Sequence, residues 1–129
     1  MFRVCTIVGT RPELIKLSSF IKKADKVFLH SLVHTGQNYD YELNEIFFED
    51  LNIRKPDYIL NCAKNSVNKT ISEIFLKVDK ILDSIKPDAV IILGDTNSGL
   101  AAIAAKKKHI PVFHLEAGNR SYDYKVPEE

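Results

Sequence analysis

The chain has 129 residues, of which 45% are hydrophobic and 27% are charged, and its formal net charge at pH 7 is +1. This size and balance are typical of one globular domain with its own core, and the near-zero charge argues against nucleic acid or a membrane surface as a partner. The apolar stretches are shorter than a membrane span, the start lacks a cleavable signal site, and Cys5 and Cys62 make no disulfide framework, so a cytoplasmic protein is expected.

In chain order, β-rich apolar runs alternate with segments of helical periodicity. The predicted strands are Arg3–Val8, Val27–His34, Ala89–Leu93 and Ile110–Leu115. The predicted helices are one opened by Pro12, then Tyr39–Leu51, Asn68–Ile85 and Gly99–Lys108, with a loop and a short extended piece in Asn52–Lys64 and an irregular segment in Ala117–Val126. This alternation, with right-handed crossovers, indicates a doubly wound parallel sheet of the α/β class. The continuous apolar run Ala89–Leu93 indicates a strand covered on both faces, and Ile110–Leu115 is also expected to be a buried strand.

The last three residues, Pro127-Glu128-Glu129, are typical of the first turn of a new helix. A single helical turn with nothing to pack on is not stable. We therefore expect the chain to be a fragment, in which residues 1–129 form one domain of a longer protein.

An anion-binding turn is predicted at GTRPELIK, residues 9–16, between the first strand and the first helix. The N–H groups at a helix start can hold an anion, Arg11 can add a bidentate phosphate contact, and Lys16 can add a point charge about one turn further on. The single glycine of this turn makes it neither a dinucleotide fingerprint nor a P-loop. The alternative is a tight turn with solvated charges.

Carboxylates directly follow the last two predicted strands. Ligands of open parallel sheets bind beyond the carboxyl ends of the strands, so Asp95 and Glu116 are candidate site residues. For Asp95 the alternative is that it or a neighbour caps the next helix, since Asp, Thr, Asn and Ser all favour that position. For Glu116 the alternative is a structural ion pair with Arg120, and His114 alone is more typical of a hydrogen-bonded core histidine.

Two other polar positions are candidates with simple structural alternatives. Glu128 belongs to the predicted last helical turn, where the helix dipole by itself favours acidic residues. Gln37 follows the second strand and can line a ligand site or belong to the cap of the second helix. The histidines at 30, 34 and 109 show no ligand spacing, so no metal site is predicted.

Five sequence blocks together resemble the non-hydrolysing UDP-N-acetylglucosamine 2-epimerases. They are GTRPE at residues 9–13, TGQNYDYEL at 35–43, GDTNS at 94–98, HLEAGNR at 114–120 and VPEE at 126–129. The resemblance implies the Rossmann-like N-terminal domain of a GT-B architecture, whose active site lies between two domains and whose C-terminal UDP-binding domain is absent here. It implies epimerisation at C2 of a UDP-N-acetylhexosamine through UDP elimination and re-addition, with no cofactor and no metal.

The resemblance also assigns roles to individual residues. Asp95, Glu116 and Glu128 correspond to the catalytic carboxylates, which suits a weakly acidic C2 proton that needs a positioned base. Arg11 and Lys16 correspond to the basic residues near the nucleotide and the reacting centre, which suits a departing diphosphate. The remaining substrate-binding residues expected are Gln37 and Arg120.

Two departures from the family pattern bear on substrate and regulation. The second block reads GQN where many members have GQH, a loop that contributes to an activating UDP-N-acetylglucosamine site in bacterial members, so such allostery is not expected. The fourth reads EAGNR, which is similar to the branch that acts on 6-deoxy sugars for capsule or O-antigen. The full-length enzyme is expected to be a homodimer and the chain alone to be inactive. Two other functions stay open, a GT-B glycosyltransferase domain and a non-catalytic nucleotide-binding module.

Overall fold

Five parallel strands form a single sheet in the computed structural model, which describes residues 1–36 and 45–129, with only the backbone at residue 45. The strands are β1 (Arg3–Val8), β2 (Leu29–His34), β3 (Tyr58–Ile59), β4 (Ala89–Leu93) and β5 (Val112–Leu115). Their order is β3-β2-β1-β4-β5, and every neighbouring pair is parallel. The predicted doubly wound α/β sheet is therefore confirmed.

Helices lie against both faces of the sheet, and two of them begin at a capping side chain. They are α1 (Arg11–Val27), α2 (Glu45–Leu51), α3 (Val67–Ile85) and α4 (Ala101–Lys107), the last directly preceded by a 3₁₀ turn at Asn97–Leu100. Thr10 caps α1 and Ser66 caps α3, each accepting a hydrogen bond from the N–H three residues further on. In the described residues no helix has the length and apolar character needed to cross a membrane.

The core has one apolar layer on each side of the sheet. The first lies between the sheet and α3 with α4, and includes Cys5, Ile7, Val33, Ile74, Val78, Leu82, Val90 and Ile92. The second lies between the sheet and α1 with α2, and consists of Val8, Leu14, Leu17, Ile21, Leu32, Phe47, Phe48 and Leu93. The central strands β1 and β4 are buried along nearly their whole length, as predicted for Ala89–Leu93.

The boundary between α1 and β2 differs from the prediction. Val27, predicted as the first residue of a strand, is the last residue of α1. The N–H of Phe28 donates to the carbonyl of Ala24 at 2.9 Å and so completes the final helical turn. The strand therefore begins two residues later, at Leu29.

Other predicted elements are present with altered limits. The short extended piece predicted within residues 52–64 is β3, and the helix predicted at 99–108 is divided between the 3₁₀ turn and α4. Of the helix predicted at 39–51, α2 accounts for residues 45–51, while residues 39–44 lie outside the described residues. Residues 117–126 contain no helix or strand, as predicted.

The carboxyl-terminal part of the chain is less covered than the sequence indicated. β5 was predicted as a buried strand, but it lies at the edge of the described sheet, and Phe113 is 57% exposed. A parallel edge strand has a neighbour on only one side, so its apolar residues are not all buried. At the last residues, where the first turn of a helix was predicted, Pro127 and Glu128 lie in a turn closed by a hydrogen bond from the Glu129 N–H to the Val126 carbonyl.

Candidate active site

A cleft of about 310 Å³ lies at the edge of the sheet where the strands end. Because all strands are parallel, the residues that follow β1, β4 and β5 meet at this edge. The register pairs Leu93 with Leu115, so β4 and β5 end level with each other. The cleft is lined by Thr10, Pro12, Glu13, Lys16, Leu93, Gly94, Asp95, Thr96 and Glu116. It therefore brings together three of the predicted site residues, Lys16, Asp95 and Glu116.

Glu116 forms an ion pair across the cleft with the first helix. The Lys16 ammonium donates to Glu116 Oε2 at 3.0 Å, and the two side chains are 53% and 39% exposed. The alternative partner considered for Glu116, Arg120, binds a different carboxylate. Glu116 also has a left-handed backbone with a φ of 56°, a conformation that side-chain-bearing residues adopt at an energetic cost. This backbone turns the chain directly after β5.

Asp95 is exposed at the mouth of the cleft and does not cap the helical turn that follows it. The residue at the cap position of the 3₁₀ turn is Thr96, whose side chain makes no capping hydrogen bond there. Gly94 turns the chain after β4 with a φ of 70°. The capping alternative for Asp95 is therefore wrong in this structure, and Asp95 lines the cleft together with Lys16 and Glu116.

Glu13 is a buried carboxyl group in the wall of the cleft that the sequence reasoning missed. Its residue is 2% exposed. Its Oε2 accepts from the Gly9 N–H at 3.0 Å and from Thr10 Oγ1 at 2.7 Å, and its Oε1 accepts from Thr96 Oγ1 at 3.2 Å. Burial raises the pKa of Glu13, and the hydrogen bonds from Thr10, Gly9 and Thr96 oppose that rise. The available signal was the pattern Thr-x-x-Glu at a helix start, which is typical of a capping box.

Arg11, another predicted substrate-binding residue, contacts the ring of Phe47. The guanidinium of Arg11 lies 4.5 Å from the centroid of the Phe47 ring, in cation–π geometry. Arg11 does not line the cleft, although it neighbours Thr10 and Pro12, which do. Gln37 falls outside the described residues.

Arg120 belongs to a second depression near the end of the chain. Arg120, Tyr122, Tyr124, Val126, Pro127 and Glu129 line it. The Arg120 guanidinium donates to Glu129 Oε1 through both Nε and Nη2, and the N–H of Ser121 donates to Glu129 Oε2 at 2.8 Å. These donors, Arg120 above all, lower the pKa of Glu129 to about 2. The predicted catalytic residue Glu128 is exposed and lines neither this depression nor the cleft.

The cleft offers acid–base groups and a cation. Across residues 1–36 and 45–129, His, Cys, Asp and Glu side chains do not form a group of three or more placed as metal ligands. Two solvent-accessible carboxylates at one edge can exchange protons with a bound molecule, and an ammonium beside them can stabilise developing negative charge. This arrangement suits proton transfer on an anionic substrate.

Residues 21–129 match the family model described as UDP-N-acetylglucosamine 2-epimerase. A solved UDP-N-acetylglucosamine 2-epimerase from Rickettsia bellii is 59% identical, with a TM-score of 0.90, and the match covers 99% of this chain and 34% of that one. A Methanocaldococcus jannaschii UDP-GlcNAc 2-epimerase, solved in complex with UDP-GlcNAc and UDP, is 40% identical with a TM-score of 0.90, over 98% of this chain and 36% of that one.

A Methanococcus maripaludis UDP-N-acetylglucosamine 2-epimerase is also similar in sequence. It is 45% identical over 131 aligned positions, which cover all of this chain and 35% of the relative. The chain therefore spans about a third of the length of the proteins it resembles.

Proposed function

Since the chain belongs to the UDP-N-acetylglucosamine 2-epimerase family, we propose that it forms the first domain of a GT-B enzyme that inverts C2 of a UDP-N-acetylhexosamine. The observation that carries the proposal is the cleft in which Asp95, Glu116 and Lys16 meet. In the proposed reaction a base removes the C2 proton, and its bonding electrons form a C1–C2 double bond. The bond from C1 to the UDP oxygen breaks at the same time. Re-addition of UDP and a proton then gives the opposite configuration at C2.

The accessible charged groups have complementary roles in this proposal. Inversion needs proton transfer on both faces of the sugar ring, and one carboxyl group cannot reach both faces. Asp95 and Glu116 approach the cleft from different strands and are both accessible to solvent, which supports their assignment to proton transfer. Lys16 brings a positive charge to the same cleft for the departing diphosphate. The proposal also includes Glu128 as a catalytic residue and Arg11, Gln37 and Arg120 as substrate contacts.

The proposed substrate is UDP-N-acetylglucosamine or a 6-deoxy analogue. The UDP-GlcNAc and UDP in the complex of the Methanocaldococcus relative support a UDP-sugar as the ligand of this chain. The setting we propose is the cytoplasm, where a homodimer supplies precursors for surface polysaccharide such as capsule or O-antigen. In this proposal the second wall of the active site belongs to the remaining two thirds of the protein, so the chain alone does not turn over substrate.

Incubation of the whole protein with UDP-N-acetylglucosamine in deuterated water tests the function. We expect deuterium at C2 of the sugar and a mixture of the gluco and manno epimers, detected by NMR, and no exchange with the chain alone. An incubation without the protein is the control for exchange that does not depend on the enzyme. Transfer of the sugar to an acceptor with the C2 proton retained would instead support a glycosyltransferase. Binding without any turnover would support a nucleotide-binding module.

A further inference from the structure

We propose that Glu13 is a positioning residue that fixes Asp95 in the cleft by holding Thr96. The role in turnover rests on the proposed function, since it requires Asp95 to transfer a proton. The hydrogen bonds that Glu13 accepts from Gly9, Thr10 and Thr96, which together we call the clamp, do not depend on that function. The two parts can therefore be tested separately.

The backbone on both sides of Asp95 is held by neighbouring elements. On the amino side, the N–H of Gly94 donates to the Leu115 carbonyl at 2.9 Å, and the ring Nε2–H of His114 donates to the Gly94 carbonyl at 2.6 Å. On the carboxyl side, the Thr96 hydroxyl donates to Glu13 at 3.2 Å. β5 thus fixes the residue before Asp95, and Glu13 fixes the residue after it.

Glu13 is itself attached firmly enough to serve as an anchor. Its other oxygen is bound by the Gly9 N–H and the Thr10 hydroxyl at the start of α1, where the helix dipole favours a carboxylate. The residue is 2% exposed, so its side chain has little freedom to move. The clamp therefore connects the loops that follow β1 and β4 through one buried group.

The burial of Glu13 also distinguishes it from the charged groups that face the cleft. A buried carboxyl group costs stability unless its hydrogen bonds are satisfied, and Glu13 has a donor on each oxygen. Lys16, Asp95 and Glu116 keep accessible charges in the same cleft. Glu13 therefore acts on the reaction through the position of Asp95 and not by contact with substrate.

The clamp predicts a specific pattern of rate loss in the whole protein. A displacement of about 1 Å can cost about 100-fold in rate, so we expect Glu13→Met and Thr96→Val, each of which removes the hydrogen bond between residues 13 and 96, to lower kcat by about 10- to 100-fold, with KM changed by less than about 3-fold. Thr96→Ser keeps the hydroxyl and should stay within about 3-fold of wild type. The double variant should be no slower than the slower single variant, because both remove the same bond.

Hydrogen exchange provides a readout that needs no turnover. The Gly94 and Gly99 N–H groups are bonded to the Leu115 and Thr96 carbonyls. Mass spectrometry of the peptide over residues 94–99 should show amide hydrogen exchange about 5- to 10-fold faster in Glu13→Met and Thr96→Val, as expected for loss of one buried hydrogen bond. Thr70→Val is the matched control. Thr70 lies on α3, is 4% exposed, and its hydroxyl accepts a hydrogen bond from the Lys64 N–H at 2.9 Å. It should change neither this peptide nor kcat.

The outcomes separate the clamp from the proposed function. Unchanged amide hydrogen exchange at residues 94–99 in both single variants, at Glu13 and at Thr96, overturns the clamp, whatever the activity. The positioning role is overturned by either of two results obtained together with faster amide hydrogen exchange. One is a kcat of Thr96→Ser as low as that of Thr96→Val. The other is a double variant in which the losses of kcat of the two single variants multiply. If the wild-type whole protein does not exchange the C2 proton of the sugar, the proposed function fails. Amide hydrogen exchange at residues 94–99 then decides by itself whether the clamp exists.

Discussion

Glu116 combines an exposed ion pair with a left-handed backbone, so replacing it by glycine should remove activity while leaving stability nearly unchanged. A left-handed conformation costs a residue with a side chain about 1–2 kcal/mol, and glycine relieves that cost at the φ of 56° seen here. The lost ion pair with Lys16 is 53% and 39% exposed, so solvent screening limits it to about 1 kcal/mol or less. Glycine also increases the entropy of the unfolded chain by about 0.5–1 kcal/mol.

These contributions nearly cancel, so Glu116→Gly should lie within about 1 kcal/mol of wild type. Glu116→Gln loses the ion pair but keeps the strained backbone, and should be no more stable than the glycine variant. Lys86 has a left-handed φ of 49° at the end of α3, away from the cleft. Lys86→Gly is therefore the matched control and should be stabilised by up to about 1 kcal/mol with full activity.

Urea unfolding followed by circular dichroism suits this comparison, since the chain has no tryptophan. Exchange of the C2 proton by the whole protein measures activity, and both Glu116 variants should lose about 100-fold or more. A stability loss above about 2 kcal/mol in Glu116→Gly would refute the reasoning, because it would make the carboxylate a structural group. Wild-type exchange in Glu116→Gln would remove Glu116 from proton transfer.

Two further predictions concern the turn after β2 and the last residues. A Cβ on Gly36, which has a φ of +64°, would lie 3.0 Å from the Asn61 Cα, whereas a Cβ on Gly99 would meet nothing closer than 3.6 Å. Gly36→Ala should therefore lower the free energy of unfolding, measured in urea, by about 2 kcal/mol or more. Gly99→Ala should lower it by less than about 0.5 kcal/mol. The pKa of Glu129 is lowered to about 2, so its stabilising contribution is complete above the ordinary value of 4.5 and is lost as pH falls through about 2. An NMR titration of its carboxyl carbon should show that midpoint, and Arg120→Met should move it up towards 4.5; an unmoved midpoint would rule out Arg120 as the main cause.

The limits of β4 were predictable because local signals agree there. The apolar run Ala89–Leu93 is preceded by Pro87-Asp88 and followed by Gly94, and both ends match the structure. The α1–β2 boundary was not predictable in the same way, because Val27 and Phe28 suit either a strand or the last turn of a helix. The exposure of β5 was missed for a different reason: its composition is that of a buried strand, and only the strand order places it at the edge.

The candidate site was predictable in its position but not in its pairings. Parallel topology alone brings Asp95 and Glu116 to one edge, because each follows a strand. The pair between Lys16 and Glu116 joins residues 100 positions apart, and a sequence supplies no distance between them. Arg120 stands nearer to Glu116 in the chain and was the partner considered, but it binds Glu129 instead.

Burial separates the carboxyl groups at this edge of the sheet into two kinds. A group that takes a proton from a substrate must present an oxygen to it, and Asp95 and the 39% exposed Glu116 side chain can do so. Glu13, in the same cleft wall, has both oxygens bound by donors and is 2% exposed. It cannot reach a bound sugar without breaking those bonds. Exchanging Glu13 for an uncharged residue should therefore slow the reaction by displacing other groups, whereas the same exchange at Asp95 or Glu116 should remove a chemical step.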